Sequence, residues 1–263
     1  MNGRLVQSLG VYVLWIVITL LGATWLLGGE EAALEELLKN GVGWQFVGAS
    51  ALLLGAIVVF GWRDLKFGAP HGLVKVMSVP VLLLLGIASL TVVTGLPDRT
   101  TTSYVLFNTF LVGFSEEVMF RGVLFRALLE NLRIWPAIIV TSVLFGAVHS
   151  LNGFNTGDWS GALLQSVAAA MSGMIFIAIV VRTGSIWPAI IYHWLWDGVL
   201  FLMGVASALD EEHAAASEVA VSGLGAVVFP LMIALPNFLW ALWLLRKVRD
   251  ASYRQDKGAS FTG

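Results

Sequence analysis

Three short strings in this chain combine acid, base and imidazole at helical spacing: Gly113-Phe-Ser-Glu-Glu-Val-Met-Phe-Arg121, Phe145-Gly-Ala-Val-His149 and His193-Trp-Leu-Trp-Asp197. On a helix Glu117 and Arg121, four positions apart, share a face, and an ion pair between them lowers the cost of burying either. Glu116 is rotated about 100° from Glu117 and has no cationic partner at helical spacing, so it is the carboxylate left available for work. His193 and Asp197 present an imidazole and a second acid on one face, and His149 follows Phe145 by one helical turn. An available carboxylate, two imidazoles and a further acid, drawn from three segments, form the set that hydrolysis by an activated water requires. Taken singly, each group also has a structural reading as a buried ion pair or a hydrogen bond between helices. Taken together, the acid, base and imidazole set favours chemistry.

These strings lie in apolar runs. An ionisable group at membrane depth costs at least about 2.5–3.5 kcal/mol on insertion scales, which makes each one a functional-site hypothesis. The chain is 58% apolar and only 12% charged, a composition that places its surface against lipid. Runs of the roughly 20 residues needed to cross the hydrocarbon occur at about 9–27, 44–62, 76–96, 103–129, 134–149, 161–181, 186–209 and 221–245. The fourth is long and polar in its middle, the fifth is short with Pro136 in its first turn, and the eighth carries Pro230 and Pro236, which predict a kink. The expected fold is all-α, a polytopic membrane protein of about eight transmembrane helices forming one domain over residues 1–263. Arg4 precedes the first run, but no small-residue cleavage site follows before Glu30, so this run reads as a retained span.

Orientation follows from the basic residues, which short cytoplasmic loops retain. With both termini cytoplasmic, the inner segments hold Arg4, Arg63, Lys66, Lys75, Arg126, Arg133, Arg182, Arg246, Lys247, Arg249, Arg254 and Lys257, and the outer loops hold Lys39 and Arg99. The expectation is a multi-pass integral membrane protein with both ends inside. The formal charge of −2 gives no basic field for nucleic acid, and the absence of cysteine removes disulfides, thiolate nucleophiles and cysteine-ligated metals.

The ordered triple Glu116-Glu117-x-x-x-Arg121, Phe145-x-x-x-His149 and His193-x-x-x-Asp197 resembles the three motifs of the CPBP (Abi) family. That family includes the Rce1-type CAAX prenyl endopeptidases and bacteriocin-processing or immunity proteins. The resemblance covers about residues 103–209. It implies an eight-helix peptidase with a cytosol-facing cavity, in which Glu116 and His149 activate the attacking water. It also implies that His193 and Asp197 position the substrate carbonyl or its oxyanion, while Glu117 and Arg121 hold the site together. The position of Asp197 is often Asn in the prenyl endopeptidases, and a carboxylate donates no hydrogen bond unless protonated.

The residues leave two routes open. Glu116 and His149 activate water without a metal, or Glu116, His149 and His193 bind a divalent ion such as zinc whose water is the nucleophile. No His-Glu-x-x-His signature is present, so the sequence requires no cofactor. Serine and aspartyl intramembrane signatures are missed by one glycine each, at Asp158-Trp-Ser-Gly161 and Asn155-Thr-Gly-Asp158. The expected partners are the bilayer and a peptide or lipidated-protein substrate, the CAAX-type prenylated chain included. The competing reading is a non-hydrolytic protein of the same fold, an immunity protein or scaffold, or a transporter. The repeated halves and paired broken spans of transporters are not visible.

Overall fold

The computed structural model describes residues 3–26, 41–209, 224–250 and 253. All its regular elements are helices. They are α1 (Gly3–Leu26), α2 (Trp44–Phe60), α3 (Leu73–Thr94), α4 (Arg99–Glu117), a π-helical segment (Val118–Leu124), α5 (Phe125–Asn131), α6 (Ile134–His149), a 3-10 turn (Ser150–Asn152), α7 (Gly153–Thr156), α8 (Trp159–Thr183), α9 (Trp187–Leu209) and α10 (Leu224–Leu245). Five helices are long and apolar enough to cross a membrane, and α2 and part of α10 are shorter apolar helices. The protein is a multi-pass integral membrane protein. Of the sequence expectations, Glu30, Lys39, Arg254, Lys257 and the edges of the first and eighth spans at 27 and 221–223 fall outside the described residues.

The fourth span is a continuous rod made of α4, the π segment and α5, and it begins earlier than the apolar run suggests. Asp98 caps it, its Oδ1 accepting from the backbone N–H of Thr100 at 2.8 Å and of Thr101 at 3.2 Å. Such a cap satisfies donors that the first turn leaves unpaired. The rod is central: every residue from Ser115 to Leu129 is buried. Burial by protein, rather than by lipid, is what allows a membrane helix to hold two acids and an arginine in its middle.

Helix α6 packs on α8, α8 on α10, α4 on α9, and α1 on α2. Small residues set two of these spacings. A Cβ on Gly113 would lie 2.9 Å from the Trp194 backbone nitrogen, so α4 and α9 touch backbone to backbone one turn from Glu116. A Cβ on Gly146 would lie 2.5 Å from the Ser166 carbonyl oxygen, which fixes α6 against α8 in the same way. Close approach of this kind is how membrane helices gain packing energy when lipid is as apolar as the side chains.

At one end of the bundle the termini meet. Arg4 Nη2 bonds Asp64 Oδ1 at 2.7 Å, Arg4 Nη1 bonds Glu130 at 2.9 Å, and Arg126 Nη1 bonds the Tyr253 hydroxyl at 2.6 Å. The Ile134 N–H donates to Asp250 and the Trp135 indole to the Val248 carbonyl, at 2.7 and 3.1 Å. The first and last described segments therefore lie at this end of the bundle, with the turns 61–72 and 184–186 pinned beside them by His71 N–H to Thr183 O at 3.0 Å and Ile186 N–H to Lys66 O at 2.8 Å.

Candidate functional site

The rod and α9 build the polar centre. Glu117 and Arg121 sit one turn apart across the start of the π segment and form an ion pair of 2.9 Å, with both side chains at 0% exposure. A π turn carries an extra residue and is common at functional sites, where the widened turn re-aims side chains. The same Glu117 oxygen, Oε1, lies 2.8 Å from His193 Nδ1, so one carboxylate oxygen holds both the guanidinium and the imidazole. Glu117 Oε2 has no hydrogen-bond partner among the described residues.

His193 is gripped on both edges. Its Nε2 lies 3.2 Å from Asp197 Oδ2 on its own helix and 3.6 Å from Glu116 Oε2 on the rod. Its ring stacks on Phe176, with centroids 4.4 Å apart and planes 18° apart. Arg121 is caged by aromatic faces, its guanidinium carbon 4.3 Å from the Phe145 centroid and 5.0 Å from that of Phe176, and its Nη2 donates to the Gly173 carbonyl at 3.1 Å. Aromatic faces attract a cation without competing for its proton, so they share the burden of a buried guanidinium with Glu117.

Glu116 faces the other way, as its 100° offset from Glu117 predicts. It lines a cavity of about 490 Å³ together with His149, His193 and Asp197, and its Oε2 has no hydrogen-bond partner among the described residues. At the end of α6, His149 Nδ1 lies 2.7 Å from the Phe145 carbonyl. A carbonyl only accepts, so Nδ1 carries a proton, and in the neutral ring the lone pair is on Nε2.

The fold thus brings all six sequence candidates, Glu116, Glu117, Arg121, His149, His193 and Asp197, to one place, with the pairing Glu117–Arg121 and His193–Asp197 at the spacing expected. The cross-helix bond from His193 to Glu117 and the aromatic walls were not foreseen. Phe176 sits in an uninterrupted apolar run and nothing in the sequence marks it. Gly113, by contrast, is a small residue three positions before the acid pair, a signal of close helix approach. Both nitrogens of His193 face carboxylates, and among the described residues no three His, Asp or Glu groups are arranged to hold a metal ion.

Residues 98–199 match a sequence model described as type II CAAX prenyl endopeptidase Rce1-like, a span that contains every residue of the cluster. No curated protein and no solved structure matches the chain. The matched stretch carries the acid pair, both histidines and the aspartate in the order the resemblance required, so this part of the chain is similar to the Rce1-like membrane proteases.

Proposed function

We propose that the protein is an intramembrane endopeptidase that hydrolyses a peptide bond of a membrane-associated substrate with a water activated by Glu116 and His149. The observation that carries this reading is the asymmetry of the acid pair. Glu117 is fully buried with its Oε1 shared by Arg121 and His193 and does not line the cavity, whereas Glu116 lines the cavity beside two imidazoles.

In this reading Glu116 takes a proton from water held between it and His149 Nε2. The oxygen attacks the scissile carbonyl carbon, and the carbonyl π electrons move to its oxygen. His193, fixed at Nδ1 by Glu117, turns its Nε2 edge towards the cavity, and in its cationic form it stabilises that oxyanion with Asp197 balancing the charge. Glu116 then delivers its proton to the leaving amine as the C–N bond breaks. The step balances with water as the only co-reactant. This route needs no metal.

The test is cleavage of a quenched apolar peptide by purified protein in detergent, beside Glu116→Gln. Glutamine preserves shape but cannot take the proton, so turnover should fall by roughly 10²–10⁴-fold with melting temperature unchanged. Full activity in the variant removes Glu116 from the chemistry. Activity lost on adding a chelator replaces this route with a metal one.

A further inference from the structure

The cavity has a direction. Its lining comes from positions 15–20 of α1, from Phe46 near the start of α2, from 145–152 at the end of α6 and beyond it, from 161–176 of α8, and from 230–234 of α10. Each of these stretches lies in the half of its helix remote from the chain termini, apart from the innermost part of α8. The floor is the polar centre, formed by Glu116, His193 and Phe176. Below the floor, the π segment and α5 are packed solid, and the turns at the end that holds the termini are tied to one another by the bonds described above. Among the described residues the mouth is therefore opposite the termini. There the lining turns polar: Asn152 Nδ2 donates to Gln165 Oε1 at 2.8 Å, two partly exposed amides at the rim.

The charge distribution orients this axis. All the described basic residues at the two ends lie at the terminal end except Arg99, and short basic loops stay in the cytoplasm. The cytosol-facing cavity that the resemblance implies and the cytoplasmic termini that the basic residues imply are thus incompatible in this fold, because among the described residues the mouth and the termini occupy opposite ends.

Resting on the peptidase reading, we propose that the substrate reaches Glu116 from the extracytoplasmic side, as an extended apolar segment of an exported or membrane-inserted chain. A prenylated C-terminus displayed on the cytoplasmic face would meet the closed end of the bundle. The cavity volume lies within the roughly 300–1,000 Å³ usual for ligand sites, and its apolar wall below a rim of two amides suits apolar side chains on a backbone that hydrogen-bonds at the rim.

The natural chain has no cysteine, so single cysteines report directly. Thr100→Cys at the mouth end, Ala69→Cys at the terminal end and Ser160→Cys, next to the lining residue Gly161, are exposed positions. In intact cells a membrane-impermeant maleimide should label Thr100→Cys and Ser160→Cys, and Ala69→Cys only after permeabilisation. In detergent, a bulky maleimide on Ser160→Cys should abolish cleavage of the quenched apolar peptide that the unmodified variant still cleaves. Labelling of Ala69→Cys with protection of Thr100→Cys in intact cells overturns the proposal, as does full turnover by the alkylated Ser160→Cys. If the wild type cleaves nothing in detergent, the peptidase reading fails by itself, and the labelling pattern still decides which side the mouth faces.

Discussion

Two groups of arginines and carboxylates lie at different depths in this molecule, and contact distance ranks them wrongly. The pair at the terminal end, Arg4 with Asp64, is the shorter at 2.7 Å, but its side chains are 17% and 36% exposed. The central pair, Arg121 with Glu117, is 2.9 Å apart and wholly buried. At the end, water and headgroups can replace either partner, and such pairs are worth about 0–1 kcal/mol. In the centre nothing replaces a lost partner, and an uncompensated charge remains in a low-dielectric core. Partner use differs as well. Both oxygens of Asp64 are taken by Arg4, whereas the centre leaves Glu117 Oε2 and Glu116 Oε2 without hydrogen bonds. The end network commits both carboxylate oxygens of Asp64 to holding helices together, although Arg4 Nε and Arg126 Nε have no hydrogen-bond partner among the described residues; in the centre it is a carboxylate, Glu116, that faces the cavity with an unpaired oxygen.

The sharpest way to break this comparison is Arg121→Ala. It strands Glu117 and empties an aromatic cage, so folded protein should be lost at a cost of about 3–5 kcal/mol. Yield after gel filtration and the melting temperature in detergent measure it. A variant that folds as well as wild type would show that the centre is hydrated and no different from the end. Glu117→Gln should lower turnover and melting temperature together, since the amide can still accept from His193 but no longer neutralises Arg121. Set beside Glu116→Gln, which should spare stability, it separates the carboxylate that supports from the one that reacts.

Gly113→Ala ranks next. Its methyl group would meet the Trp194 backbone at 2.9 Å, and neither helix can turn it away. Moving α9 from α4 lengthens the reach from Glu116 to His193, so turnover should drop along with about 1–3 kcal/mol of stability. Unchanged turnover would mean that the spacing of the two helices does not set the site.

The sequence made the central groups legible because local geometry governs them. Helical spacing alone pairs Glu117 with Arg121 and His193 with Asp197, and the cost of burying charge singles out the three strings. What lay beyond it are contacts between distant helices. His193 bonds a residue 76 positions away, and Phe176 joins the site from a run that reads only as lipid-compatible. The π segment Val118–Leu124 is also silent, because an apolar run around one arginine has no periodicity that distinguishes a widened turn from α-helix. Hydropathy located the spans and basic residues their ends. The direction of the cavity needed the packing, since it depends on which half of each helix is filled.

The smallest effect belongs to the terminal end and tests the other side of the comparison. Asp64 lies in the turn outside the spans. Burial alone would push its carboxyl up, but the hydrogen bond and charge of Arg4, with the charge of Arg126 behind them, outweigh that and hold it below its ordinary value of 3.8. A carboxylate whose folded value is depressed contributes stability that is complete above the unfolded value and is lost as the pH falls through the folded one. Wild type should therefore melt above Asp64→Asn at neutral pH by less than about 1 kcal/mol, since the pair is partly exposed. That margin should shrink once the pH falls below 3.8 and vanish at lower pH. Melting curves of both proteins in detergent from about pH 6 to about pH 3 read it directly. A margin that persists in acid would mean that Asp64 acts through shape rather than charge, and a margin of several kcal/mol would place the terminal network on the same footing as the buried centre.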